Sequence, residues 1–227
     1  MEEEQLAPIF AKETYNMLGK GSKEKRIDKI NKNIANTGYT AIKDKSNRDI
    51  LYLQNDKDKT VHISHRGTDF SKPRDVSADL SFALGNEHHN KEFKKRRDKT
   101  SNLVKNIPDD YKLNLSGHSY GGASMNDTLL NKKNVRDKVE SANGYNGAFS
   151  PFTKKVSKKI KSELDNRVTH HRISNDIISA SSSIHLPFGK VKTYKQKQND
   201  KIMPQSINPI FKTIDSYKAH SIDNFIS

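Results

Sequence analysis

The 227-residue chain contains no cysteine, which excludes a disulfide framework and any thiolate metal site. No stretch approaches the ~18 consecutive apolar residues that a bilayer-spanning helix needs. The opening Met1-Glu2-Glu3-Glu4 is acidic and lacks the basic n-region and apolar core of a secretory signal. The expectation is a cytoplasmic or particle-enclosed protein, a virion component included. Apolar residues are also scarce, at 32% of the chain with a mean hydropathy of −0.93. A composition this polar borders on that of disordered chains. Here, however, the apolar residues gather in periodic runs, which argues for a folded chain.

Acidic groups are the minority charge. Lys and Arg number 41 against 27 Asp and Glu, leaving a net +14. Such an excess attracts polyanions, with an anionic membrane surface as the candidate partner, or it reflects A/T-rich nucleotide bias, which favours Lys, Asn and Ile codons. No zinc-finger spacing or aromatic RNA-binding box accompanies the basic clusters, so no specific nucleic-acid partner is expected. Lys94-Lys95-Arg96-Arg97 reads as the solvated face of a helix. So do Lys154-Lys155 and Lys158-Lys159, which alternate with Val156, Ile160 and Leu164 at helical spacing.

At this length residues 1–227 are expected to form one domain, with no internal repeat or linker to divide them. Residues 1–36 read as a helical N-terminal segment, with Ile27, Ile30 and Ile34 on one helical face. Strands are expected near 38–43, 49–54 and 60–66, then a basic helix over 90–106. A strand, tight turn and helix fill 111–132, followed by a strand at 138–143 and a helix at 151–165. Strands at 167–174 and 191–194 precede a tail of loop and short helix. Alternating strands and helices predict an α/β fold with a mostly parallel central sheet, antiparallel at its start and flanked by helices.

The chemistry concentrates in Leu113-Asn114-Leu115-Ser116-Gly117-His118-Ser119-Tyr120-Gly121-Gly122-Ala123. An alternating strand runs into G-x-S-x-G and then small residues that open a helix, the context of a nucleophile elbow. Ser119 on so sharp a turn is lifted clear of the sheet. Gly117 and Gly121 flank it because a Cβ at either place would collide with the neighbouring strand or helix. The helix that follows aims backbone N–H groups at any anion forming beside Ser119. An acyl-transfer serine also needs a base, an acid that orients it and a second oxyanion donor, in the chain order donor loop, serine, acid, histidine. His65-Arg66-Gly67-Thr68 precedes Ser119, while Asn175-Asp176-Ile177-Ile178 and Ala219-His220-Ser221 follow it.

These pieces together resemble the class-three, fungal-type lipases of the α/β-hydrolase superfamily. His65-Arg66-Gly67-Thr68 is similar to that family's F/H-R-G-S/T strand end, and Arg74 to Phe82 to the short helical lid that follows it. Gly117 to Ala123 matches G-H-S-L-G-G-A except for Tyr120 in place of leucine. Asn175-Asp176-Ile177-Ile178 is similar to the N-D-x-V acid turn, and His220 fits the terminal histidine. The resemblance spans residues 38–226 and departs from the family in two places: Ser179-Ala180-Ser181 replaces the proline after the acid, and Gly85 to Phe93 matches only loosely.

The resemblance implies a hydrolase fold with Ser119 as nucleophile, Asp176 as the acid and His220 as the base, and needs no metal or organic cofactor. Of the nine histidines, His62, His65, His88, His89 and His118 precede or adjoin the serine, and His170 and His171 precede the acid. Chain order leaves His185 and His220, and His185 lies too soon after Asp176 to be favoured. Asp200 and Asp215 are the fallback acids. The expected oxyanion donors are the backbone N–H groups of Thr68 and Tyr120, with Arg66 anchoring the loop by ion pairing and His118 packing beneath the elbow. Residues 69–85 form a candidate lid whose apolar side carries Val76, Leu80 and Phe82, or else a plain core element. The activity implied is cleavage of lipid carboxylic esters. The alternatives are a catalytically silent fold serving as a basic structural or binding component, for instance of a virus particle, and an esterase for soluble substrates.

Overall fold

The computed structural model describes residues 2–68, 87–147, 156–174, 188–196 and 220–226. Among them seven strands form one sheet in chain order. They are β1 (Thr40–Ala41), β2 (Ile50–Asn55), β3 (Thr60–His65), β4 (Lys112–His118), β5 (Val139–Tyr145), β6 (Val168–Ile173) and β7 (Lys190–Tyr194). The pairs β1–β2 and β2–β3 are antiparallel, and every pair from β3 to β7 is parallel. The helices are α1 (Glu3–Glu13), α2 (Lys23–Asn33), α3 (Glu87–Val104), α4 (Tyr120–Asn131), α5 (Lys133–Lys138) and α6 (Lys158–Leu164). Parallel neighbours need crossovers, and right-handed crossovers through strands in chain order put α3 to α6 on one face. The N-terminal helices cover the other.

Strand β2 makes this layering necessary, because it is apolar on both sides. Ile50 and Tyr52 point into a core with Leu103 and Val104 of α3, Met125 and Leu129 of α4 and Leu164 of α6. Leu51 and Leu53 point into a second core with Leu6 and Phe10 of α1, and with Ile27, Ile30 and Ile34 in and just after α2. Removing a ring as enclosed as Phe10, which has no exposed surface, costs about 3–5 kcal/mol.

At the sheet centre the two faces differ in chemistry. Val61, Ile63, Leu113 and Leu115 feed the first core, whereas the alternate residues His62, Ser64 and Ser116 form a hydrogen-bonded chain. His62 Nδ1 lies 2.5 Å from Glu3 Oε1, and its Nε2 lies 2.8 Å from Ser116 Oγ. Ser116 Oγ donates to Ser64 Oγ at 2.8 Å. Helix α1 is therefore docked partly by polar contacts, which lets a chain so poor in apolar residues cover both faces.

Element boundaries differ from the sequence reading in a few places. The strand expected at 38–43 is only Thr40–Ala41, because the chain turns so that Ser46 Oγ can accept from Tyr52 N at 3.0 Å. The helix after the elbow breaks at Lys132, whose extended backbone separates α4 from α5. Strand β5 runs two residues past its expected end, to Tyr145. The candidate lid with Val76, Leu80 and Phe82 lies outside the described residues, as do Asp176, His185, Asp200 and Asp215.

Candidate active site

Strand β4 ends at His118 and α4 begins at Tyr120, which leaves Ser119 alone at the corner with φ 55° and ψ −124°. A side chain at positive φ costs on the order of 1–3 kcal/mol and persists only where its surroundings enforce it. Here they do. Ser119 N donates to Tyr145 O at 2.9 Å, and Ser119 O accepts from Ala123 N at 3.2 Å. A Cβ on Gly121 would lie 2.1 Å from His65 O, and one on Gly117 would lie 2.4 Å from the Gly121 carbonyl. Only glycines let the end of β3, the end of β4 and the first turn of α4 approach so closely. Ser119 Oγ is buried and makes no hydrogen bond among the described residues.

The loop after β3 is packed against this corner. A Cβ on Gly67 would lie 2.3 Å from Tyr15 Oη and 2.5 Å from His118 O, so the peptide leading to Thr68 rests directly on the elbow. Arg66 anchors the loop away from the corner. Its Nη2 lies 3.1 Å from Asp49 Oδ1, and its Nε and Nη1 donate to Arg48 O and Gly67 O, both at 2.6 Å. Burial alone would raise the Asp49 pKa, but the guanidinium groups of Arg96 and Arg66 outweigh it and hold the carboxyl below its ordinary value. Tyr120, as the first residue of α4, carries a backbone N–H that points along the helix axis from its start.

His220 comes from the far end of the chain. It is buried and lies two residues before the short 3-10 segment Ile222–Phe225, which Ser221 caps. That segment is tied to α1 by the Lys12–Asp223 ion pair at 2.7 Å and by Ile222, which packs with Ala7, Ala11 and Tyr145. His118 Nε2 lies 2.7 Å from the His220 carbonyl oxygen, and the two rings are 5.1 Å apart. The other nitrogen of His118 lies 2.7 Å from Tyr15 Oη. The residue expected to pack beneath the elbow therefore also ties three distant segments together by hydrogen bonds.

Ser119, Tyr120 and the Gly67–Thr68 loop meet at the carboxyl ends of β3 and β4, and His220 is joined to the same corner through His118. The described chain before Asp176 ends with β6 and Ser174. There Asn146 Oδ1 accepts from Ile173 N at 3.0 Å and Ser174 N donates to Tyr194 O at 2.9 Å. Among the described residues no group of three or more His, Asp or Glu side chains could hold a metal.

Two features escaped the sequence reading. Arg96 is not on a solvated face: it is 4% exposed and turned into the protein, while Lys94 and Lys95 beside it are exposed. Its spacing with Phe93 and Thr100, both buried, follows a helical stripe that could have marked it. His65, set aside as a base by chain order, is a buried strut. Its nitrogens lie 3.0 Å from Ser124 Oγ and 3.0 Å from Thr100 Oγ1. Burial, aided by the charge of Arg96, pushes its pKa down to about 3.

The chain has an α/β-hydrolase fold, and solved structures that it resembles in fold include lipases, fungal ones among them. The structure of M37 lipase superposes with a TM-score of 0.53 at 12% identity, covering 78% of this chain and 69% of that one. Lipase II from Rhizopus niveus gives a TM-score of 0.49 at 16% identity, with 77% and 71% covered. A further fungal lipase gives 0.48 at 13% identity over 88% and 80%. No family model matches the sequence, and no curated protein matches it. The likeness is one of fold, and among the described residues no helix is long and apolar enough to cross a membrane.

Proposed function

We propose that the chain is a serine hydrolase that cleaves carboxylic esters of lipids through an acyl-serine intermediate. The observation that carries this reading is Ser119 itself: a non-glycine residue at φ 55° on a strand-to-helix corner, buried, with its hydroxyl not bonded within the described structure. Such strain is costly, and a structural turn would be served better by glycine.

In this reading the Ser119 hydroxyl attacks the ester carbonyl while His220 removes its proton, and Asp176 orients the imidazole and steadies the imidazolium. The carbonyl oxygen becomes an oxyanion that accepts hydrogen bonds from the backbone N–H groups of Thr68 and Tyr120. Each such donor is worth about 2.7–4 kcal/mol. His220 then gives the proton to the leaving alcohol, and the ester C–O bond breaks. A water molecule, deprotonated by the same histidine, attacks the acyl-serine and releases the acid and the free serine. Residues 69–85 serve as the candidate lid, with Val76, Leu80 and Phe82 as its apolar residues, and the lysine-rich composition favours an anionic interface. The whole chain works as one hydrolase domain.

Hydrolysis of chromogenic esters of increasing acyl length, alongside phospholipid vesicles, tests the reading with Ser119→Ala as control. Turnover that rises with acyl length and vanishes in the variant supports it. Turnover of short soluble esters alone indicates an esterase without lipid specificity. A folded protein with no turnover on any substrate indicates a silent fold used for binding.

A further inference from the structure

Arg96 lies on α3, outside the residues so far given a catalytic part, yet it touches both segments that carry the oxyanion donors. Its Nη1 donates to Arg66 O at 2.6 Å, two residues before Thr68. Its guanidinium carbon sits 4.8 Å from the centre of the Tyr120 ring, and the Phe93 ring stacks on Tyr120 at 4.8 Å with an interplanar angle of 26°. Its Nη2 lies 3.1 Å from Asp49 Oδ1, the same oxygen that Arg66 engages at 3.1 Å. One planar fork therefore bridges the loop after β3 and the first residue of α4. Lysine, a point charge without a fork or a stacking face, could not make these contacts together.

Fold stability alone does not explain an arginine here. A buried guanidinium is expensive to desolvate, and an apolar side chain of similar size usually serves the fold as well or better. Two arginines share one carboxylate oxygen, and Arg96 Nε is buried without a hydrogen-bond partner among the described residues. What arginine adds is geometric: a flat group that can fix a carbonyl at one edge and an aromatic ring beneath its face.

We propose that Arg96 is a positioning residue that sets the spacing of the two oxyanion donors, the N–H groups of Thr68 and Tyr120. This rests on the hydrolase reading above. Arg96 touches no substrate. It acts by holding the Arg66 carbonyl and the Tyr120 ring in one frame, so that both donors converge on the oxyanion when it forms. A small loss of convergence is enough to slow a reaction about 100-fold.

The test has a structural arm and a kinetic arm, on the full chain with Arg96→Met and Arg96→Lys. Arg97→Met serves as control, because Arg97 pairs with Asp127 at 3.1 Å and also joins α3 to α4. Backbone amide NMR without substrate should shift or broaden the Thr68 and Tyr120 resonances together in both Arg96 variants, and neither in the control. Kinetics on a short soluble ester should give kcat about 10- to 100-fold lower with KM nearly constant. Affinity for a trifluoromethyl ketone, whose adduct carries the oxyanion, should fall in parallel. Should Arg96→Met not fold, Tyr120→Leu removes the stacked ring from the other side and should move the Thr68 amide. Independent behaviour of the two amides, or an unchanged kcat with both shifted, overturns the proposal. Paired shifts in a protein that hydrolyses no ester and does not react at Ser119 would instead overturn the hydrolase reading, and the catalytic meaning of Arg96 with it.

Discussion

The Nε2 of His118 and the carbonyl oxygen of His220 lie 2.7 Å apart, although 102 residues separate them in the chain. Through this contact the residue just before Ser119 holds the backbone of the proposed base. A base must be held at a fixed place beside the serine, and this contact fixes the His220 backbone together with the Lys12–Asp223 ion pair and the packing of Ile222. His118→Ala should lower kcat by about 100-fold while leaving thermal stability within a few degrees. Steady-state kinetics beside a melting curve checks this. A variant with unchanged kcat would mean that His220 is placed by other contacts, or is not the base.

The strain at Ser119 gives a stability prediction that needs no substrate. Glycine tolerates φ 55° and ψ −124° and alanine does not. Ser119→Gly should therefore be more stable than Ser119→Ala by about 1 kcal/mol or more, net of glycine's greater entropy when unfolded. Urea unfolding of the two inactive variants measures the difference. If alanine is the more stable, the corner is not strained.

Acid should destabilise the fold through buried histidines. Burial pushes His65 down to about 3, and His170 and His171 down to about 4, from the ordinary value of 6.5. The unfolded chain binds these protons near pH 6.5, whereas the folded chain refuses them until pH 3–4. Their contribution is thus fully present above about pH 6.5 and is lost as pH falls toward 4. Each histidine contributes roughly 1.4 kcal/mol per pH unit inside that window. Unfolding free energies at pH 7, 5.5 and 4.5 should fall steeply and in that order. In His171→Gln the slope should be shallower. A flat profile would mean that these rings are accessible to protons in the folded state.

The basic surface separates lipid from soluble ester. Each lysine near an anionic membrane adds about 1 kcal/mol of attraction, which fades within a Debye length of about 10 Å at 0.1 M salt. Turnover on anionic vesicles should exceed that on neutral ones and drop between low and moderate salt, while a short soluble ester barely responds. Leu80→Asp or Phe82→Asp should impair vesicle turnover more than soluble-ester turnover. Equal salt response on both substrates would remove the membrane-surface role and leave the hydrolase reading intact.

The elbow was legible in sequence because its glycines are dictated by distance. Approaches of 2.1 and 2.4 Å to neighbouring backbone leave no room for another residue at 121 or 117. The double-sided burial of β2 does not follow from the strand expected at 49–54; it is a finding of the structure, where Ile50 and Tyr52 enter one core and Leu51 and Leu53 the other. Contacts between polar groups far apart in sequence were not legible. Glu3 and His62 are 59 residues apart, and neither carries a pattern that names the other. Arg96 reads with its basic neighbours as solvated because charge suggests exposure, while its helical phase with Phe93 and Thr100 points inward. The sequence reading ends β5 at 143, before Gly144-Tyr145-Asn146-Gly147. Its extension reflects a tertiary demand, the Tyr145 carbonyl that receives the Ser119 N–H.

The most direct test of the central claim is to react the folded protein with a fluorophosphonate and map the adduct by peptide mass spectrometry. The account predicts a single adduct on Ser119, absent in Ser119→Ala and formed much more slowly in His220→Ala. An adduct on another serine, labelling that persists in Ser119→Ala, or no reaction at all in folded protein would contradict it.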